Sequence, residues 1–339
     1  MREKVEVLIT IPLPDELLAD IKAVSEFLNI THLPVSDVTE VPEETWAKTE
    51  VLYTMHVLPD PEMAPNLRWV QSYLAGVDKV LDHPVLKPEK VLFSSMSGAN
   101  SSQVAEHILT MMMALGHNLL GFGSLQREKT WMQDKGRAYI PREIRGSTVG
   151  LVGYGSIGRQ VARLVTGMGA QVVAIKRDAM TPVHHGYSAE GLGDPEGDLF
   201  TRLYPPEAIR SMAAECDFVV ICVPKTSLTV GLVGAEQIAA MKKTAFLIDV
   251  SRGGVVDHEA LIAALTEGRI AGAALDVFPE EPLPEESELW LLPNVIITPH
   301  VSGFSPEYSW RANVLLIENL NRYLSGQVLL NLVKLEREY

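Results

Sequence analysis

Residues 148–158 read Thr-Val-Gly-Leu-Val-Gly-Tyr-Gly-Ser-Ile-Gly, an apolar run that leads straight into a G-x-G-x-x-G turn. A helix-like stretch follows from Gln160 to Leu164, then a second apolar run from Gln171 to Ile175. Strand, glycine turn, helix and strand in that order are the setting a dinucleotide-binding turn requires. Gly153 permits the tight turn, Gly155 lets a pyrophosphate approach the backbone, and Gly158 lets the helix lie close to the strand. The N–H groups at the helix start, at Ser156, Ile157 and Gly158, are the expected phosphate ligands, helped by the helix dipole. With 25 glycines in the chain the bare motif says little. Its place between two strands carries the reading.

The turn begins near the middle of a 339-residue chain, and strand-like runs lie on both sides of it. Before it come Val5–Ile11, Leu28–Leu33, Val51–His56, Leu67–Tyr73 and Val91–Ser95. From it onward come Thr148–Val152, Gln171–Ile175, Phe218–Val223, Ala245–Val250, Ala271–Asp276 and Val295–Thr298, the six strands of a complete dinucleotide-binding sheet. Helical stretches alternate with these runs, which predicts an α/β fold with parallel sheets. Ser101–Leu120 and Ser305–Leu324 read as two long helices, the first with Asn100 or Ser101 as cap. Gln327–Tyr339 reads as a returning strand with a tail. A chain of this length predicts two domains. The late glycine turn predicts that the cofactor domain (101–305) is inserted into the other (1–100 with 306–339), with a cleft between them. Asp178–Pro206, with four glycines, four prolines and the pair His184-His185, predicts a long connection without helix.

A net charge of −14 and a pI near 5.1 argue against partners that are nucleic acids or anionic membranes. The two cysteines, Cys216 and Cys222, lie in an apolar stretch with no metal-ligand spacing, as reduced thiols of a cytoplasmic protein do. The amino terminus lacks a signal-peptide layout, and the apolar stretch Ile108–Phe122 is short for a membrane span and carries His117 and Asn118. No metal site is expected. His184 and His185 have no third ligand nearby, His258 beside Asp257 reads as part of a helix start, and Met111–Met113 read as helix core.

In an open α/β sheet, ligands sit beyond the carboxyl ends of the strands. The fourth strand of the second series runs into Asp249-Val250-Ser251-Arg252-Gly253-Gly254, the fifth into Asp276 and then Glu280-Glu281-Pro282, and the sixth into Thr298-Pro299-His300. Hydride transfer to a carbonyl calls for a cation to hold the substrate carboxylate, and Arg252 has the forked geometry. It also calls for a proton donor, and His300 is the side chain of this group whose type titrates near neutrality. A carboxylate beside that histidine favours its protonated form, and Glu281 is the candidate.

These stretches resemble the D-isomer-specific 2-hydroxyacid dehydrogenases, of the glyoxylate and hydroxypyruvate reductase kind, over nearly the whole chain. The resemblance is carried by Asn66–Gln71, Ala75-Gly76-Val77-Asp78, Asn100 with Val104–His107, and Gly153–Gly158. It continues through Ser251–Asp257, Ala274–Phe278, Glu280–Pro282 and Thr298–His300. It implies a Rossmann domain inserted into a flavodoxin-like substrate domain, and a dimer. It implies Arg252 as substrate-binding cation, His300 as acid/base with Glu281 as its partner, and Asp276 at the nicotinamide amide. Backbone N–H groups around Leu74, Ala75 and Gly76 would hold the substrate carboxylate, and Val223 and Pro224 would join the cofactor site. D-stereochemistry comes from the resemblance alone.

Two departures matter. Tyr154 stands where leucine is usual, and Lys176 stands where NAD-preferring relatives carry an aspartate, followed by Arg177 and then Asp178. A cationic pair suits a 2′-phosphate, so NADP(H) is the expected cofactor, with NAD(H) as the other choice. The expected activity is reduction of a small 2-oxo acid to a D-2-hydroxy acid. A cofactor-gated binding protein or corepressor-like scaffold, and a formate- or phosphite-type dehydrogenase, are the alternatives. Thr54, Met55, Leu74, Trp131 and Trp310 are candidates for substrate selection.

Overall fold

The apolar runs assemble into two parallel sheets, each with its own core. The computed structural model describes residues 4–87, 90–133 and 140–339. The chain divides into two units, Met1–Asn100 with Ser305–Tyr339, and Ser101–Phe304.

The first unit contains β1 (Val5–Ile9), α1 (Asp15–Ala23), β2 (Leu28–His32), α2 (Glu43–Lys48), β3 (Val51–Thr54), β4 (Trp69–Ser72) and β5 (Leu92–Ser94). Its strands are all parallel in the order β2-β1-β3-β4-β5, the flavodoxin-like arrangement. Every residue of β3 and β4 is buried, as expected of parallel strands covered on both faces. Trp46 and Trp69 are fully buried, and each indole N–H finds an acceptor, Val38 O and Ser94 Oγ respectively. The C-terminal helix, Tyr308–Leu324, joins this unit through buried Asn319, which donates to Gln71 Oε1 and Leu330 O and accepts from the Leu330 N–H. Beyond that helix the returning strand is reduced to one antiparallel bridge, Ser94 with Leu332, before a single 3-10 turn at Leu335–Arg337.

The second unit holds α3 (Ser101–Gly116), α4 (Leu119–Arg127), β6 (Thr148–Val152), α5 (Ser156–Gly167), β7 (Gln171–Ile175), β8 (Arg202–Tyr204) and α6 (Ile209–Ala213). It continues with β9 (Phe218–Ile221), α7 (Ala235–Ala240), β10 (Phe246–Asp249), α8 (His258–Thr266), β11 (Gly272–Leu275) and β12 (Val295–Ile297). Its seven parallel strands run in the order β12-β11-β10-β9-β6-β7-β8. The order reverses at the β6/β9 junction, so the ligand crevice opens at their carboxyl ends.

Two expectations need correction here. The helix read over Ser101–Leu120 breaks after Gly116, and α4 leaves at a bend of 62°. The 140–144 segment crosses that point: the Arg142 N–H donates to Gly116 O, and Asn118 takes a left-handed φ of 51°. Asparagine tolerates that conformation better than most residues. A seventh strand, β8, lies inside the segment read as a bare connection, too short and polar to stand out. The rest of that segment is turns held by a buried cluster. The Arg159 guanidinium, 1% exposed, donates to Asp194 O and Pro182 O and lies 4.6 Å from the centre of the Tyr154 ring. The Tyr154 hydroxyl donates to Asp194 Oδ2, and the same carboxylate accepts from the N–H groups of Gly197, Asp198 and Leu199. These bonds hold the Asp194 carboxyl below the usual carboxylate range despite burial. Asp194→Ala, which removes them and leaves Arg159 buried without its counter-charge, is expected to cost roughly 3 kcal/mol in a urea-unfolding measurement.

Candidate active site

The glycine turn stands at the β6/β9 junction. Gly153 has φ of 111°, and a Cβ on Gly158 would lie 2.2 Å from Gly153 O, so helix and turn meet as only glycine allows. A Cβ on Gly155 would meet nothing within 4 Å. The turn is therefore open on the side a pyrophosphate would take, and α5 starts there with no side-chain cap. These residues fit a dinucleotide. Val223 flanks the turn, its Cγ1 2.9 Å from where a Gly153 Cβ would be, and Pro224 follows it. The Cys222 thiol donates to Gly153 O at 3.2 Å, and burial pushes its pKa up to about 12, so it is an inert support.

At the end of β7 the two cations have different surroundings. The Lys176 ammonium donates to the carbonyls of Asp178 and Thr181, and burial lowers its pKa. Arg177 is exposed. The Asp178 carboxylate accepts from the Met180 N–H and the Thr181 hydroxyl, closing its own turn. Lys176 therefore braces the turn that carries Arg177.

Three loops at the carboxyl edge of β10, β11 and β12 are tied together. Asp276, 1% exposed, ends β11; its Oδ1 accepts from the Thr298 hydroxyl at 2.6 Å and the Val301 N–H at 2.9 Å, and its Oδ2 from the Ser302 N–H at 2.9 Å. His107 reaches the same Thr298 hydroxyl at 3.3 Å. Within this pinned turn His300 takes a left-handed φ of 55°. Its Nδ1 lies 2.8 Å from Glu281 Oε2, while Glu281 Oε1 accepts from the Phe278 N–H at 3.0 Å. An ionised carboxylate only accepts, so Nδ1 is the donor and Nε2 is the nitrogen left for a ligand. Both side chains are more than a third exposed, at 40% and 35%. An ion pair so placed adds at most about 1 kcal/mol to stability. Its value is in orientation.

The Arg252 loop meets the Glu281 loop at Gly253, where a Cβ would come within 1.8 Å of Phe278 O. Half-buried Arg252 donates through Nη1 to Ser251 O at 2.8 Å. Beneath it, fully buried Asp249 accepts at Oδ1 from the Ser251 N–H (2.9 Å) and hydroxyl (2.6 Å). Burial pushes the Asp249 carboxyl up to about 7, against the two Ser251 hydrogen bonds, and nearby Asp276 adds a smaller upward push.

Arg252, Glu281 and His300 thus share one edge of the second unit. Leu74, Ala75 and Gly76 belong to the first unit, in the loop after β4, where the Leu74 N–H donates to Ser72 Oγ and Leu74 O accepts from the Met96 N–H. Sequence reasoning missed the aromatic group beside that loop. The Tyr308 hydroxyl donates to Tyr73 O, Tyr73 and Ser309 hydroxyls are 2.8 Å apart, and the Tyr73 and Tyr308 rings meet edge to face. It also missed Thr298, Ser302 and Asp249 as supports. Thr298 and Asp249 stood at strand ends, the one signal that pointed to them.

Fold and turn together define a dinucleotide-binding protein of the α/β class. Residues 109–302 match the family model of the D-isomer specific 2-hydroxyacid dehydrogenase, NAD binding domain. A glyoxylate reductase of Korarchaeum cryptofilum is 34% identical over 81% of this chain and 78% of its own. Glyoxylate/hydroxypyruvate reductase B of Pectobacterium atrosepticum is 33% identical over 80% of each. A solved D-isomer specific 2-hydroxyacid dehydrogenase from Xanthobacter autotrophicus, in complex with NADPH and MES, superposes over the whole of both chains with a TM-score of 0.79 at 28% identity. The chain belongs to the D-isomer specific 2-hydroxyacid dehydrogenases and is an NAD(P)-dependent oxidoreductase of hydroxy acids.

The buried acid gives a pH test. With its folded pKa raised from 3.8 to about 7, Asp249 binds its proton more tightly in the folded state. Stability is therefore expected to fall as pH rises from about 4 to about 7, by on the order of 4 kcal/mol from this group. Urea unfolding at several pH values checks this, and Asp249→Asn is expected to remove the fall and to be the more stable protein at pH ~8.

Proposed function

We propose that the protein reduces small 2-oxo acids, glyoxylate and hydroxypyruvate foremost, to D-2-hydroxy acids with NADPH as preferred donor. The His300–Glu281 contact of 2.8 Å, on the same edge as Arg252, carries this reading. The glyoxylate reductases among its relatives and the NADPH-bound Xanthobacter structure support it. Bound at the Gly153–Gly158 turn, the cofactor supplies a hydride to C2 of the oxo acid. Arg252 holds the substrate carboxylate through its planar fork, joined by N–H groups around Leu74, Ala75 and Gly76. His300, oriented by Glu281, gives its Nε2 proton to the oxygen that gains charge at C2. The N–H groups of Ser156, Ile157 and Gly158 would hold its phosphates, with Val223 and Pro224 alongside. Asp276 holds the His300 turn and, as a carboxylate with capacity for four hydrogen bonds, has one left for the nicotinamide amide. Arg177, with Lys176 bracing its turn, would meet the 2′-phosphate. Residues 1–100 with 306–339 act as the substrate domain and residues 101–305 as the cofactor domain.

The working form is a homodimer. Helix α4 buries none of its residues, yet Leu119, Leu120 and Phe122 are exposed on it, with Met113 exposed before it and Trp131 and Ile140 after it. An apolar face of this kind marks an interaction site, and a second copy with the same face is the simplest occupant. The free thiols of buried Cys216 and partly buried Cys222 support a cytoplasmic setting.

His300→Ala is expected to lower kcat by roughly 10²–10⁴-fold with cofactor affinity near wild type; loss of cofactor binding alone would contradict the role. In parallel assays with both cofactors NADPH is expected to win, and a tenfold preference for NADH, about 1.4 kcal/mol, overturns that choice. Leu119→Lys with Phe122→Glu is expected to give a folded monomer in sedimentation velocity, whereas an unchanged dimer moves the interface elsewhere.

A further inference from the structure

Behind Arg252 lies a carboxyl group that neither hydride transfer nor phosphate binding uses. Asp249 closes β10 with no solvent exposure. Its Oδ1 takes both polar groups of Ser251, the N–H and the hydroxyl, and Ser251 is itself buried. The Ser251 carbonyl then takes Nη1 of Arg252. One run of hydrogen bonds therefore leads from the interior of the sheet to the half-buried guanidinium. Both the N–H and the carbonyl of Ser251 are engaged, so the peptides on either side of it and the direction of the arginine are set together.

The groups that face Asp249 come from three strands. Asp276 stands at the end of β11 and Cys222 just after β9, and both interact electrostatically with Asp249, while Ser251 follows on its own strand. Asp276 accepts from the 298–302 turn and the Cys222 thiol donates to Gly153 O. Asp249 Oδ2 has no hydrogen-bond partner among the described residues. All the positioning thus runs through Oδ1. A side chain of the same shape with one oxygen keeps it, and a truncated one leaves a buried N–H and hydroxyl without an acceptor, which drives the Ser251 peptide to turn.

We propose that Asp249 is a positioning residue for substrate recognition: by fixing Ser251 it fixes the direction in which Arg252 presents its guanidinium to the carboxylate of the 2-oxo acid. The inference rests on the reading of Arg252 as the holder of that carboxylate.

The test compares Asp249→Ala, Asp249→Asn, Ser251→Ala and Arg252→Ala in the full-length protein, with glyoxylate as substrate and NADPH fluorescence titration for cofactor affinity. Asp249→Ala is expected to raise KM for glyoxylate at least tenfold with the Kd for NADPH within about twofold of wild type. Asp249→Asn is expected to restore KM to within about threefold. Should Asp249→Ala fail to fold, Ser251→Ala, which removes one of the two Oδ1 contacts, takes its place with an expected rise of about threefold to tenfold. Equal KM damage in the alanine and asparagine variants overturns the inference, as does parallel loss of NADPH affinity. A KM unchanged in Arg252→Ala overturns the reading of Arg252 itself; a KM raised there but unchanged in Asp249→Ala overturns only the positioning role.

Discussion

The geometry of the carboxyl edge of the larger sheet depends on one buried carboxylate, that of Asp276. Its three hydrogen bonds to Thr298, Val301 and Ser302 bracket His300, the residue with the left-handed backbone. A non-glycine residue pays about 1–2 kcal/mol for that conformation, and the flanking bonds offset it. Once the turn is held, the imidazole meets Glu281, and Glu281 in turn is fixed to the Phe278 N–H on the strand-end loop that Asp276 begins. The His300–Glu281 pair is therefore anchored twice to the same loop, once through Asp276 and once through Glu281. Gly253 completes the arrangement by letting the Arg252 loop lie flush against Phe278 O.

A second anchor works at the other side of the junction. The segment that follows β7 has almost no regular structure, yet a fully buried arginine, tyrosine and aspartate fasten it to the glycine turn and the first turns of α5. Tyr154, the unusual residue within the turn, points its hydroxyl into this cluster, which leaves its backbone role intact. Arg163 and Gln160 add contacts to Gly193 from the same helix. The loop is thus built as an extension of the dinucleotide-binding unit, and the cations of β7 sit on a braced support.

The fold was legible wherever a run of apolar residues met a sharp boundary. Thr148–Val152 and Gln171–Ile175 are strands to the residue, and the other long runs lose only one or two residues at their ends. What was not legible depended on contacts from distant sequence. The break after Gly116 is imposed by the segment at Arg142, and β8 exists because Val173, Ala174 and Ile175 offer it an edge. The same division holds for the site. The placement of Arg252, Glu281 and His300 along one edge was readable because each follows a strand end. Lys176 was readable as a cation, but its commitment to the carbonyls of Asp178 and Thr181 was not, since a turn's carbonyl directions leave no mark in residue types. The supporting roles of Asp249 and Asp276 were hidden for a similar reason: burial and hydrogen-bond partners belong to the folded chain.

Direct transfer of hydride to C2 with the proton supplied at oxygen is the central claim, and isotope placement tests it most directly. NADPH carrying deuterium at C4 on the transferred face, incubated with the protein and hydroxypyruvate, is followed by mass spectrometry and chiral separation of the product. The account predicts D-glycerate with deuterium on C2 and none on oxygen. Absence of label at C2, or formation of the L-isomer, would contradict it.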